Sequence, residues 1–201
     1  MKQILWLATL GLFSAQVWAA DAAPVGDAQA GQAKSAACAA CHGPGGNSQS
    51  ALYPKLAGQS PVYIVKQLNK FKSGERNNPV MMPQATNLSE QDMQDIGAYY
   101  AAQKPGFGAA NEQAAPIGQK LYLGGNPATG VPACSGCHGP AGAGNAAAGY
   151  PQIGGQHTDY VANALRSYKD GTRKAPAMSY VAAKLTEEEI QALASFLAGL
   201  H

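Results

Sequence analysis

The stretch Ala36–Gly46, AACAACHGPGG, returns at Pro132–Gly142 as PACSGCHGPAG. In each copy two cysteines stand two residues apart with a histidine directly behind: Cys38, Cys41 and His42, then Cys134, Cys137 and His138 at an offset of 96. Such a pattern admits half a zinc site, a redox dithiol or an anchor for covalently held haem. What surrounds it decides among them.

The similarity runs well beyond the cysteines. Tyr53–Met81 lies over Tyr150–Met178 at an offset of 97, the one added residue falling in the Gly-rich loop behind the histidine. The register then holds: Leu88 and Ser89 over Leu185 and Thr186, Ile96 over Leu193, Tyr99 over Phe196. A chain written twice is read as two copies of one folding unit.

Each copy predicts the same helices. GDAQAGQAKSAA and IGQKLYLGG precede the cysteine pairs as short helices, the second followed by a longer loop, NPATGVPA. A middle helix is expected over about Pro61–Lys72 and again over about Asp159–Lys169. There Ile64, Leu68, Phe71 and Val161, Leu165, Tyr168 form one apolar face at helical spacing. A last helix opens at SEQD (Ser89–Asp92) and TEEE (Thr186–Glu189), both shaped as capping boxes. Its apolar positions are Met93, Ile96 and Tyr99 or Tyr100, matched by Ile190, Leu193 and Phe196 or Leu197. Gln103–Pro116 has the composition of a linker. The expected division is a signal peptide over 1–20, an N-terminal domain over 21–104, a linker over 105–115 and a C-terminal domain over 116–201, all of it α-helical.

The opening MKQILWLATLGLFSAQVWAADAAP has one lysine, an apolar run from Ile4 to Phe13 and small residues around Val17–Ala22, the form of a secretory signal cut near Ala19 or Ala20. That apolar run is shorter than the roughly 20 residues a membrane span requires. The product is expected in the periplasm. Charge is balanced along the chain, with 14 Lys and Arg against 12 Asp and Glu. No basic stripe interleaved with aromatics points to nucleic acid. With 24 glycines and aromatics at only 7%, large side chains are few, and a bound cofactor is a candidate to fill the core.

Against that background the rivals for the cysteines fall away. Zinc-ribbon pairs lie within about 15–20 residues of each other, whereas these belong to separate repeats. A thioredoxin-like dithiol belongs beside a βαβ pattern that the chain lacks, and two short-loop disulfides are the third, disfavoured rival. Cys-x-x-Cys-His twice in register within an exported chain is the attachment signature of c-type haem: the thiols add to the two vinyl groups and the histidine ligates iron. Two haem c groups are therefore expected.

Iron then requires a sixth ligand. His157 and His201 both fall in the second half, and His157 lies over Ser60, so a second histidine cannot serve both repeats; solvated loop positions are expected for them. Met81 and Met178 are the methionines that match at the offset of 97. Each stands eight residues before the Ser or Thr that caps the last helix, in what reads as a proline-containing loop. They are the predicted ligands. Met93 falls on an apolar helix face and is expected in the core; Met82 is expected to make a neighbouring loop contact. A thioether ligand raises the reduction potential, and two filled axial positions suit electron carriage rather than bond-breaking.

With YPKLAGQ and YPQIGGQ, KSGER and KDGTR, and a methionine before a capped last helix, each repeat resembles a class I cytochrome c. The pair resembles the dihaem cytochrome c4 family over essentially all of the mature chain. The resemblance implies two tandem domains related by pseudo-twofold symmetry, with the haems near the shared interface. It also implies that a proline carbonyl about a dozen residues after each histidine, at Pro54 and Pro151, accepts the ring hydrogen bond. Arg76 and Arg173 match in position, and the haem propionates are a candidate partner that the sequence does not establish. The function implied is monomeric electron carriage between a quinol-oxidising complex and a terminal oxidase, with room for peripheral membrane association. The alternatives are the cytochrome subunit of a flavocytochrome-type dehydrogenase and a dihaem peroxidase, which would need a labile sixth position.

Overall fold

A computed structural model describes residues 26–201; the expected signal peptide lies outside the described residues. Ten α-helices follow in two matching sets. The first set is α1 (Ala28–Lys34), α2 (Ala39–His42), α3 (Pro61–Lys72), α4 (Met81–Thr86) and α5 (Glu90–Ala101). The second is α6 (Ala115–Gly124), α7 (Ser135–His138), α8 (Thr158–Lys169), α9 (Pro176–Ala182) and α10 (Glu187–Gly199). Among the described residues there is no β-strand, only isolated bridges at Asn126–Val131 and Asn145–Tyr150. None of these helices is long and apolar enough to cross a membrane.

Local chemistry accounts for the boundaries. Ser89 and Thr186 open α5 and α10 with complete capping boxes, each hydroxyl accepting from the backbone three residues on while Asp92 or Glu189 reaches back to the cap. A proline in the first turn starts α3, where its missing N–H has no helical partner to lose. The middle helices match the expected spans to within a residue.

Within each half the first helix crosses the last, α1 on α5 and α6 on α10, and the middle helix packs beside it. Glycine permits the crossing. A Cβ on Gly31 would stand 1.9 Å from the Asp95 carbonyl oxygen, and one on Gly118 would stand 2.1 Å from that of Ala192. Around these crossings the predicted apolar faces are buried: Ile64, Phe71, Met93, Ile96 and Tyr100 in the first half, Val161, Leu165, Ile190, Leu193 and Leu197 in the second. Burying such a side chain contributes roughly 1.5–3 kcal/mol. Of the alternatives left open, Tyr100 and Leu197 go fully inside, while Tyr99 and Phe196 pack at the edge.

The halves differ in core size. The C-terminal cluster is contiguous from Leu121 to Leu197 and includes Val131, brought in by the longer loop. The N-terminal cluster is centred on Ile64, Ile96 and Tyr100 alone.

The domains meet through a reciprocal set of hydrogen bonds. The Gln156 amide accepts from the Lys55 backbone at 2.9 Å and donates to the Lys55 carbonyl at 3.0 Å. The Gln59 amide treats Gln152 in the same way, at 3.0 Å for both bonds. Since Lys55 and Gln59 match Gln152 and Gln156 in the repeat, this is a local pseudo-twofold axis.

Candidate functional site

The two Cys-x-x-Cys-His segments fold alike. Cys38 begins one helical turn and its carbonyl accepts from Cys41 at 3.2 Å and from His42 at 2.9 Å; Cys134 does the same for Cys137 at 3.2 Å and His138 at 3.0 Å. The turn ends at Gly43 and Gly139, both at φ 77°, where a side chain would be strained. One turn thus carries two thiols and an imidazole.

Both histidines are buried at 6% exposure, and their orientation is fixed by the prolines. His42 Nδ1 donates to the Pro54 carbonyl at 2.8 Å, and His138 Nδ1 to the Pro151 carbonyl at 2.9 Å. A carbonyl only accepts, so the proton sits on Nδ1 and Nε2 keeps its lone pair. Burial lowers both histidine pKa values, with the carbonyl bond opposing it in part, so the rings are neutral near pH 7. This is the ligand form of imidazole, with the outer-shell bond that sets the ring's orientation. Tyr53 and Tyr150 flank the rings, with centroids at 6.3 and 6.1 Å.

The first thiol of each pair is not poised for dithiol redox chemistry. Burial raises the Cys38 pKa and pushes that of Cys134 up to about 11, the reverse of the depressed values that make a reactive thiolate. None of the four is in a disulfide, and no cluster of three or more His, Cys, Asp or Glu suited to a metal ion occurs among the described residues. The donor set instead fits haem c: paired thiols for attachment, a neutral imidazole with Nε2 available, and an apolar border in which Cys38 and Cys134 adjoin the two cores.

Met178 is half-buried and adjoins the same C-terminal cluster as Cys134. Met81 heads α4, held by Asn78, whose side-chain oxygen accepts from the Met81 N–H at 2.8 Å. Both matched methionines are thus in the first turn of short helices, not in loops as the prolines suggested. Pro176 explains the difference in α9: at a helix's first turn proline starts the helix rather than ending it. Met82 shares α4 and Met93 is 1% exposed in the core.

One expectation changes, and one residue was missed. His157 is not a solvated loop residue, for its Nε2 donates to the Ser48 carbonyl across the domain boundary at 2.9 Å. Lys55, which the sequence passed over, is half-buried and donates to the carbonyls of Gly106 and Gly155 at 2.9 and 2.8 Å. The available signal was the GQ dipeptide repeated at Gly58–Gln59 and Gly155–Gln156.

The family model described as cytochrome c matches twice, over residues 28–103 and 116–201. Cytochrome c4 of Pseudomonas aeruginosa is 48% identical over 180 residues, covering 88% of this chain and 90% of that protein. A protein of Stutzerimonas stutzeri named thiosulfate dehydrogenase electron acceptor is 36% identical, covering 100% of this chain and 97% of its own. The crystal structure of reduced recombinant cytochrome c4 from Pseudomonas stutzeri superposes with a TM-score of 0.85 at 44% identity, covering 88% of this chain and 100% of that one. Duplicated haem-anchoring turns, duplicated helices and these likenesses agree: the chain belongs to the dihaem cytochrome c4 family, electron-transfer proteins built of two tandem cytochrome c domains with two covalently attached haem c groups.

Proposed function

We propose that in each domain Cys38 and Cys41, or Cys134 and Cys137, would hold the haem covalently, and that His42 and Met81, or His138 and Met178, would be the iron ligands. The observation that carries this reading is the paired Nδ1-to-proline bond, which leaves each Nε2 as a metal donor in a buried setting. Bound there, haem supplies a one-electron Fe(II)/Fe(III) couple. The protein's part would be to supply both remaining iron ligands from His and Met side chains, which would leave no position for oxygen or peroxide.

The role that follows is an exported carrier moving electrons from a quinol-oxidising complex to a terminal oxidase in the periplasm. The signal-like N-terminus and the two closed sites support it. Reduced protein added to oxidase-containing membranes of its host should be reoxidised rapidly and in a cyanide-sensitive manner; failure with both methionine ligands intact would remove the carrier role. A second reading is acceptance of electrons from a thiosulfate-oxidising dehydrogenase, favoured by the full-length similarity to a protein bearing that name. Reduction of the ferric protein by such an enzyme with thiosulfate separates the two.

A further inference from the structure

Tyr100 and Tyr122 are the largest fully buried side chains, at 1% and 0% exposure. They come from different helices. Tyr100 is on α5, where the matching position of α10 is Leu197; Tyr122 is on α6, four residues past the crossing glycine, where the matching residue of the first half is Ser35. The ring has thus changed helices between the copies. Each still packs in the cluster that its domain's first motif cysteine adjoins, Tyr100 with Cys38 and Tyr122 with Cys134.

The two hydroxyls end differently. Tyr122 donates to the Gly139 carbonyl at 2.5 Å, which uses its one O–H. The Tyr100 hydroxyl is buried and, among the described residues, has no hydrogen-bond partner. Enclosing such a group unpaired is costly, and buried polar atoms are as a rule satisfied. The ring is wedged against the loop behind His42, where a Cβ on Gly46 would stand only 2.7 Å from its Cδ1. Burial and then Cys38 raise the phenol's pKa, while Ser35 opposes the rise. Ser35 is already a donor, to the Gln32 carbonyl at 3.1 Å. Cys38 responds to the phenol as to a donor: burial raises its pKa, and the Tyr100 hydroxyl offsets part of that rise.

We propose that the Tyr100 hydroxyl is a donor to the sulfur of Cys38 in its haem-bound thioether form, and that this bond, absent from the C-terminal domain, sets the two haem potentials apart. A thioether sulfur keeps lone pairs and accepts weakly. Hydrogen bonding around the cofactor is one of the levers by which a protein sets its potential. An O–H directed at that sulfur draws electron density from the porphyrin edge and disfavours the ferric state, so it raises the N-terminal potential. Leu197 puts no donor at the matching place, and the Tyr122 hydroxyl is held by Gly139. The inference rests on covalent attachment at Cys38, and not on the methionines or on the identity of electron donor and acceptor.

The test compares the wild-type holoprotein with Tyr100→Phe, which keeps the ring and removes the hydroxyl. In potentiometric titration with the two haems resolved, the reduced-to-oxidised ratio at fixed potential should fall at least about twofold for one haem, or about 18 mV at 59 mV per decade for one electron, and hold for the other. A shift in both haems, or in neither, overturns the proposal. The thioether carbon–sulfur stretch, read by resonance Raman spectroscopy, gives a signal that a purely packing role would not move. Equilibration in D2O should shift it in wild type and in Tyr122→Phe, and the shift should be lost or reduced in Tyr100→Phe. A deuterium shift that survives unchanged in Tyr100→Phe places the phenol on Ser35 instead and overturns the proposal, as does its absence from wild type. Mass spectrometry separates the two ways of failing: two haems per chain with unmoved potentials refute the sulfur bond alone, whereas an N-terminal half without covalent haem refutes the attachment on which the bond depends.

Discussion

Asp95 shows how much one side chain organises. It is almost wholly buried, and its carboxylate accepts from the Asp27 N–H at 2.8 Å, Lys34 Nζ at 2.6 Å and Gln91 at 2.8 Å, tying α1 to α5. The bond to Lys34, then those to the Asp27 backbone and Gln91, lowers its pKa below the ordinary 3.8, while Asp92 and Asp95 raise that of Lys34 above 10.5. The signs set a window. The Asp95 contribution is complete above the unfolded-state value and is lost as pH falls through the lower folded one; the Lys34 contribution is complete below its unfolded value and is lost as pH rises through the higher folded one. The contribution of this pair, read as the difference in thermal midpoint between wild type and Asp95→Asn, should therefore be level from about pH 5 to pH 9 and decline beyond both ends. Asp95→Asn should lower the midpoint inside that window and flatten the acid decline.

The methionines are tested at the same scale. Methionine-ligated ferric haem has a weak far-red absorption band; Met178→Ala should abolish that band for one haem and lower its potential, and Met81→Ala should do so for the other. Met82→Ala should leave both bands in place. Absorption spectroscopy of the ferric protein distinguishes these outcomes.

Among the elements, the crossing of first and last helices is the feature least tolerant of change. Gly31→Ala or Gly118→Ala drives a methyl group into backbone rather than into a side chain that could yield. Overpacking of this kind costs about 1–3 kcal/mol or more, read as a lower denaturation midpoint of the affected domain. The capping boxes are a milder test: Ser89→Ala and Thr186→Ala should each cost about 1 kcal/mol. The Asn126–Val131 loop of the C-terminal half does more than lengthen the chain, since it lowers Val131 into the core and anchors to α10 through a 2.8 Å bond from Asn126 to Glu189.

For the whole molecule the decisive surface is the domain boundary. Gln59 and Gln156 each make two bonds to the opposite half, and Lys55 ties the N-terminal half to the linker and to the C-terminal half. Replacing both glutamines by alanine should split calorimetric unfolding of the holoprotein into two transitions. The N-terminal domain should melt first, because its apolar cluster is the smaller.

The repeat made the helices, the haem-anchoring turns and the matched methionines legible, because each follows from residues near one another in sequence: a cap and its N3 partner, an apolar face at helical spacing, two thiols on one turn. Pattern also identified Pro54 and Pro151 as partners of the histidines, through family likeness rather than spacing. What the chain order concealed is everything that crosses from one copy to the other. Tyr63 and Tyr160 carried no signal, Arg76 and Arg173 were matched positions without an established role, and His157 read as a loop residue. Only the packing of one domain on its duplicate brings each arginine to the other domain's tyrosine, because hydrogen bonds and charges act through space at a few ångströms while the residues concerned lie more than eighty positions apart.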